Sequence, residues 1–144
     1  MIQITEQQLI GAVNSSIYRQ IQKRGYAAPV DVLMDCGVLS KKAYEEWRVG
    51  KVPYLERLCT VNLKKLSFIM RQIRVYAHKN NLKPSVCVYK QWGVKKKGGQ
   101  GSRPVIKLQF SKSGSLDIEK WYSTHFVDVD KVKQLKSETN GVSD

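Results

Sequence analysis

The side chains of this sequence that could do chemistry are mainly cations, and they are concentrated in one part of the chain. The 144 residues include 25 Lys and Arg against 12 Asp and Glu, for a formal net charge of +13. Between residues 51 and 127, sixteen basic side chains face only three acidic ones (Glu56, Asp117 and Glu119), while the segments before and after carry +1 and −1. Soluble surfaces usually mix both signs, so this stretch predicts a local positive potential that attracts polyanions.

A first group of cations follows helical spacing. Arg57, Lys64, Arg71 and His78 recur every seven residues and would lie on one line along a single long helix. Lys65, Arg74 and Lys79 widen this row. A row of cations can track phosphates, because each neutralised phosphate releases counterions. The alternative is a solvated helix face, although such faces usually include acidic residues for i,i+4 pairing.

A second group surrounds a predicted β-hairpin of residues 85–92 and 105–110. Tyr89 and Trp92 lie among its cations and could stack on unpaired bases, or could instead belong to the core. Residues 93–103 form a Gly- and Lys-rich connection that is too long for a tight turn, and we expect it to act as a cationic clamp. The cations of this group are Lys90, Lys95, Lys96, Lys97, Arg103, Lys107 and Lys112.

Residues 110–115, Phe-Ser-Lys-Ser-Gly-Ser, precede a predicted helix. Free backbone N–H groups and hydroxyls at a helix N-terminus suit a phosphate oxygen, but the same residues also suit a simple strand-to-helix cap. The spacing of a P-loop is absent.

Catalysis is not expected, and neither is a metal or a cofactor. A metal site using Asp117 and Glu119 would need a third acid, and the basic stretch offers only Glu56. His125 is the residue on which a hydrolase would depend, as a general base; it could equally be a helix C-terminal residue favoured by the helix dipole. The three cysteines have no metal-site or disulfide spacing, and we expect them to be small buried apolar residues.

Residues 29–58 resemble the helix-turn-helix of phage repressors. Two short helices would meet at residues 36–40. In the second, Trp47 and Arg48 are followed by Gly50, Lys51 and Pro53, an order that is common at the end of the recognition helix in that family. The resemblance implies DNA recognition, with the second helix in the major groove. Glu45 and Glu46 depart from it, because acidic groups near phosphate weaken binding; the alternative is a plain pair of packed helices with Tyr44 and Trp47 in the core.

The segment from Val52 through Gly114, and with it the chain as a whole, also resembles a small family of bacterial proteins, a resemblance that implies no particular activity.

The periodicities predict one α+β domain over residues 1–127, followed by a polar, flexible end at 128–144. A hairpin of two strands is marginal alone, so it must pack on a helix or pair with another copy. The predicted helices cover residues 5–25, 29–36, 41–49, 54–80 and 115–126, and the predicted strands cover 85–92 and 105–110.

The chain has no apolar run of membrane-spanning length and no secretory signal pattern at its N-terminus, and a cytoplasmic location is expected. The favoured partner is a nucleic acid, with DNA ahead of RNA and most contacts to the phosphate backbone. The alternative is a non-catalytic interaction protein whose basic face docks an acidic protein or a second copy.

Overall fold

The computed structural model describes residues 5–94 and 105–141, and its class is α+β, as the sequence predicts. The helices are α1 (Glu6–Arg24), α2 (Pro29–Asp35), α3 (Lys41–Arg48), a 3₁₀ helix (Leu55–Leu58), α4 (Leu63–Lys79), α5 (Leu116–Ser123) and α6 (Val129–Gly141). The strands are β1 (Tyr26–Ala27), β2 (Lys83–Val86) and β3 (Thr124–Val127). Within these described residues, no helix combines the length and the apolar character needed to cross a bilayer.

The first helix begins and ends where local chemistry predicts. The Thr5 hydroxyl accepts a hydrogen bond from the Gln8 backbone N–H at 3.1 Å, and the Gln8 side chain accepts one from the Thr5 N–H at 3.0 Å. This capping box satisfies two otherwise unpaired donors. The helix ends at Gly25, whose φ of +84° suits glycine.

The prediction of one helix over residues 54–80 is wrong, because the chain leaves helical geometry between Leu58 and Leu63. Thr60 is held to the turn after α2: its backbone N–H and its hydroxyl both donate to the Val38 carbonyl, at 2.9 and 3.1 Å. The Asn62 side chain then caps α4 by accepting from the Lys65 N–H at 2.9 Å. Arg57 is therefore not on the helix that carries Lys64.

The sheet differs from the predicted hairpin. Its three strands are antiparallel in the order β1-β3-β2, with Lys83 opposite Val127 and Val86 opposite Thr124. The central strand β3 occupies residues that the sequence assigned to the last helix, and that assignment is wrong from Thr124 onward. Thr-His-Phe-Val is rich in β-branched and aromatic residues, which favour strands.

The two segments predicted to form the hairpin do pair, but over a shorter length and outside this sheet. The Gln91 N–H donates to Ile106 O and the Leu108 N–H donates to Tyr89 O, both at 2.8 Å, around a single bridge between Lys90 and Lys107. The alternation of residues 105–110 predicts that Ile106, Leu108 and Phe110 share one side; Leu108 and Phe110 are buried, whereas Ile106 is 42% exposed.

The sequence did not predict α6, which packs against α1. A Cβ on Gly25 would lie 2.5 Å from Cγ2 of Val132, so the close approach of α6 as well as the positive φ requires glycine here. The Asp128 N–H donates to the Gly25 carbonyl at 2.8 Å.

The aromatic part of the core is centred on Trp47, which is fully buried. Its ring centroid is 5.0 Å from that of Phe110 and 5.7 Å from that of Tyr89, and its indole N–H donates to Gln109 O at 2.8 Å. Phe110 also stacks on Tyr122 at 5.6 Å. Leu108 and Phe110 therefore belong to the core, and the segment that carries them packs on α3 and α5.

Two carboxylates hold the chain that follows Gln109. Glu119 of α5 accepts hydrogen bonds from the Phe110 N–H at 2.8 Å and from both the N–H and the hydroxyl of Ser111 at 2.6 Å. Glu56 of the 3₁₀ helix accepts from the Lys112 N–H at 2.9 Å and from the Tyr122 hydroxyl at 2.8 Å. These two side chains fasten residues 110–112 to two separate helices.

The substitution Glu119→Gln should lower the free energy of unfolding by about 2 kcal/mol, because the new amide N–H₂ faces donors that need acceptors. Urea unfolding followed by circular dichroism measures this. Asp117→Asn removes the same charge from the same helix at an exposed position and should cost well under about 1 kcal/mol. Equal effects of the two substitutions would contradict the role of Glu119.

Candidate nucleic-acid interface

The outward face of α4 carries a row of cations. Lys64, Arg71 and His78 are exposed and lie two turns apart on one line, with Arg74 and Lys79 beside them. The opposite face is buried, and α4 contains no acidic residue. Arg71, Arg74, His78 and Lys79 also line a groove of about 410 Å³, together with Val75.

These cations have no carboxylate partner among the described residues. The two salt bridges there, Arg19–Asp35 at 3.8 Å and Arg24–Asp31 at 2.6 Å, both involve cations before residue 51. Of the three acids in the basic stretch, Glu56 and Glu119 accept hydrogen bonds from the backbone and from hydroxyls. The positive charge of α4 is therefore directed to solvent.

Arg74 is partly buried. Its guanidinium carbon lies 4.4 Å from the ring centroid of Trp121 in α5, a cation–π geometry. Its Nη1 is buried without a hydrogen-bond partner in the structure. Burial, and then the neighbouring charge of Arg71, lower the pKa of Arg74 from its ordinary value.

Trp121 is 38% exposed and borders two cavities. The first, of about 440 Å³, is lined by Glu56, Leu63, Ser67, Met70, Lys112, Ser113, Ile118, Trp121 and Tyr122. The second, of about 380 Å³, is lined by Arg74, Pro84, Val86, Lys120, Trp121, Thr124 and Phe126. Trp121 therefore lines both cavities, and Arg74 lines the second cavity and the groove on α4.

A second arginine–aromatic pair joins Arg48, at the end of α3, to Trp92. The Arg48 guanidinium lies 4.4 Å from the Trp92 ring centroid and 5.2 Å from that of Tyr89, and its Nε is buried without a hydrogen-bond partner. Trp92 is 45% exposed, as a stacking residue must be. Tyr89 takes the core position instead: it is buried, and its hydroxyl lies 2.9 Å from Nε2 of His125.

The remaining predicted cations are dispersed. Arg57 is exposed on the 3₁₀ helix, Lys65 is half-buried on α4, and Lys112 borders the 440 Å³ cavity. Lys90 and Lys107 are exposed and directly opposite each other in their bridge, an arrangement of like charges that costs stability and raises the local potential. The positions that lie outside the described residues are Lys95, Lys96, Lys97 and Arg103.

The predicted anion site at residues 110–115 is already occupied by the protein itself. The backbone N–H groups of Phe110, Ser111 and Lys112 donate to Glu119 and Glu56. Those of Gly114 and Ser115 donate to nearby serine hydroxyls. These N–H groups are therefore used within the protein. The alternative interpretation, a strand-to-helix cap, is not seen in its simple form either, because the Ser115 side chain makes no capping hydrogen bond to α5.

Both helices of the segment that resembles a helix-turn-helix are present, as α2 and α3. The exposed side chains of α3 include Lys41, Lys42 and Glu45, while Trp47 is fully buried. Acidic and basic side chains occur together on this surface, whereas every charged side chain of α4 is basic. Insertion of α3 into a DNA groove remains a prediction.

His125 lies in β3 and not at a helix end. Its ring stacks on Tyr26 with 5.5 Å between centroids, and the Tyr89 hydroxyl is its hydrogen-bond partner. Burial, and then the charge of Arg24, lower the pKa of His125, with Asp31 opposing them. The residue thus has a packing role between two aromatic side chains.

Of the three cysteines, Cys36 is buried, as predicted, whereas Cys59 and Cys87 are half-buried. Burial raises the pKa of Cys36 to about 11 and that of Cys59 to about 12. In the described part of the chain, no three His, Cys, Asp or Glu side chains come together as a metal site requires.

Sequence reasoning did not single out Trp121, Lys120 or Arg48. On α5, Trp121 follows Ile118 by three residues and so falls on the same side of the helix. Its stacking on Arg74 joins two residues more than 40 positions apart in the chain, which no local pattern reveals.

Comparison with protein-family profiles, with curated protein sequences and with solved structures finds no match to this chain. The function therefore has to be inferred from its own residues.

The stability of the protein should fall on mild acidification, partly through His125. Because its pKa is lowered in the folded state, its contribution is complete above the ordinary value of 6.5 and is lost as the pH falls through the folded pKa. In urea unfolding, His125→Gln should destabilise the protein at about pH 7.5 and differ less from the wild type at about pH 5. The exposed His78→Gln variant should follow the wild type at both values. A wild-type to His125→Gln gap that stays constant with pH would contradict the prediction.

Proposed function

We propose that this protein binds nucleic acid, DNA in preference to RNA, chiefly through contacts between α4 and the phosphate backbone. The observation that carries the proposal is the cation row of α4, in which Lys64, Arg71 and Arg74 have no carboxylate partner in the structure. Phosphates along a strand are repeated charges, and a rigid helix with cations at regular intervals can meet several of them at once.

The surroundings of α4 support the same interpretation. Lys112 and Lys120 border the cavities next to Trp121, so cations are present on both sides of this tryptophan. In the basic stretch, two of the three acids that could repel phosphate are held by internal donors. The Gly- and Lys-rich residues 95–103 would add a cationic clamp, as the sequence predicts.

A partner protein with an acidic surface is the competing function, and exposed apolar side chains favour it. Leu116 is 85% exposed and Leu63 is 59% exposed. Leu63 precedes Lys64 on α4, and Leu116 begins α5, the helix whose Trp121 contacts Arg74. Such residues are common at the centre of protein interfaces. Capture of a partner that survives nuclease treatment would select this alternative.

The test is a titration of labelled duplex and single-stranded DNA at several salt concentrations. The double variant Lys64→Ala/Arg71→Ala should weaken binding and should reduce the slope of log K against log salt by about 1.8 for duplex or about 1.4 for a single strand, since each lost phosphate contact contributes about 0.9 or about 0.7.

Two charge-matched variants serve as comparisons. Lys133→Ala/Lys136→Ala removes two exposed cations from α6 and should leave the slope unchanged. Lys41→Ala/Lys42→Ala removes two from α3; a larger loss there than on α4 would move the interface to the helix-turn-helix-like segment. Absence of binding to either DNA at low salt would refute the proposed function altogether.

A further inference from the structure

We propose that the 440 Å³ cavity between α4 and α5 receives an unpaired base, so that the preferred ligand is a single strand rather than a duplex. The inference rests on the proposed function and specifies its ligand. The cation row of α4 runs beside an open, largely apolar cavity, and Trp121 forms part of the cavity wall.

The cavity has the dimensions and lining of a ligand site. Its volume of about 440 Å³ falls in the range of small-molecule pockets, which are mainly apolar with a few placed polar groups. Leu63 and Met70 of α4 and Ile118 and Trp121 of α5 form its apolar walls. A flat aromatic heterocycle can contact these groups along both of its faces.

Trp121 is prepared for stacking by its own neighbour. The Arg74 guanidinium lies over the indole ring at 4.4 Å, which fixes the ring orientation before any ligand arrives. Because 38% of the side chain is still exposed, it can contact a base that enters the cavity it borders. Stacking on an aromatic side chain does not depend on the identity of the base.

The polar groups of the cavity suit the edge of a base. The Glu56 carboxylate accepts one internal hydrogen bond at each oxygen, and a carboxylate has about four acceptor sites in total. The hydroxyls of Ser67 and Ser113, which also line the cavity, can both donate and accept. An unpaired base has exposed N–H and carbonyl groups that these side chains can bind.

The strand that carries the base would be held by the surrounding cations. Lys112 borders the same cavity, Lys120 and Arg74 border the adjoining one, and Lys64 follows Leu63 on α4. A duplex could bind these cations, but its bases are paired and stacked, so the apolar walls and Trp121 would stay exposed. Only a single strand uses both the charge and the cavity.

The variant Trp121→Leu tests this, because it keeps an apolar side chain and removes the aromatic face. We expect the Kd for a short, non-self-complementary DNA strand to rise by roughly 5- to 150-fold, with little change for the duplex formed by the same strand and its complement. Tyr18→Leu is the matched control, since Tyr18 is an aromatic side chain of α1 that is 59% exposed and does not line the cavity, and it should retain most single-strand affinity.

Fluorescence provides a second measurement that does not require Trp121→Leu to fold. In a Trp92→Phe variant, Trp121 is the exposed tryptophan and Trp47 is fully buried. The single strand should quench the tryptophan emission and shield it from acrylamide, whereas the duplex should do neither.

The outcomes separate the two proposals. If Trp121→Leu leaves single-strand affinity unchanged, or weakens strand and duplex equally, the base pocket is refuted. The backbone interface still stands in that case, provided that Lys64→Ala/Arg71→Ala reduces the salt dependence. If neither DNA binds the wild-type protein, the proposed function fails and the base pocket fails with it.

Discussion

The arrangement of this protein depends on two carboxylates that bind backbone N–H groups instead of cations. Glu119 and Glu56 approach residues 110–112 from α5 and from the 3₁₀ helix. Because Phe110 stacks on Tyr122 and contacts Trp47, fixing this short segment also fixes the aromatic core. The same bonds set the position of α5, and with it the wall of the cavity that contains Trp121.

Using carboxylates in this way has an electrostatic consequence. A carboxylate that accepts several N–H bonds is satisfied without a cation, and Glu56 and Glu119 are two of the three acids in a stretch with sixteen basic residues. The described lysines and arginines of that stretch therefore form no salt bridge that would offset their charge. The hydrogen bonds of Glu56 and Glu119 therefore stabilise the fold without reducing the positive potential of the surface.

Local chemistry predicted the features that depend on neighbouring residues. The capping box of α1, the helices on both sides of Gly37 and the alternation at Leu108 and Phe110 could all be predicted from spacing. The break before α4 could not, because it depends on Thr60 bonding to Val38. Strand β3 and the stacking of Arg74 on Trp121 likewise depend on partners distant in sequence, so the cation row was predictable whereas the aromatic cavity beside it was not.

The order of the strands also bears on how the protein forms during synthesis. Strand β3 lies in the middle of the sheet, yet it is the last strand made, and its partners are Tyr26–Ala27 and Lys83–Val86. The sheet cannot close until residues 124–127 have been made, well after α4, and contacts of such long sequence separation form slowly. Helix α1, which packs on α2 and α4, has both of these partners before the sheet closes.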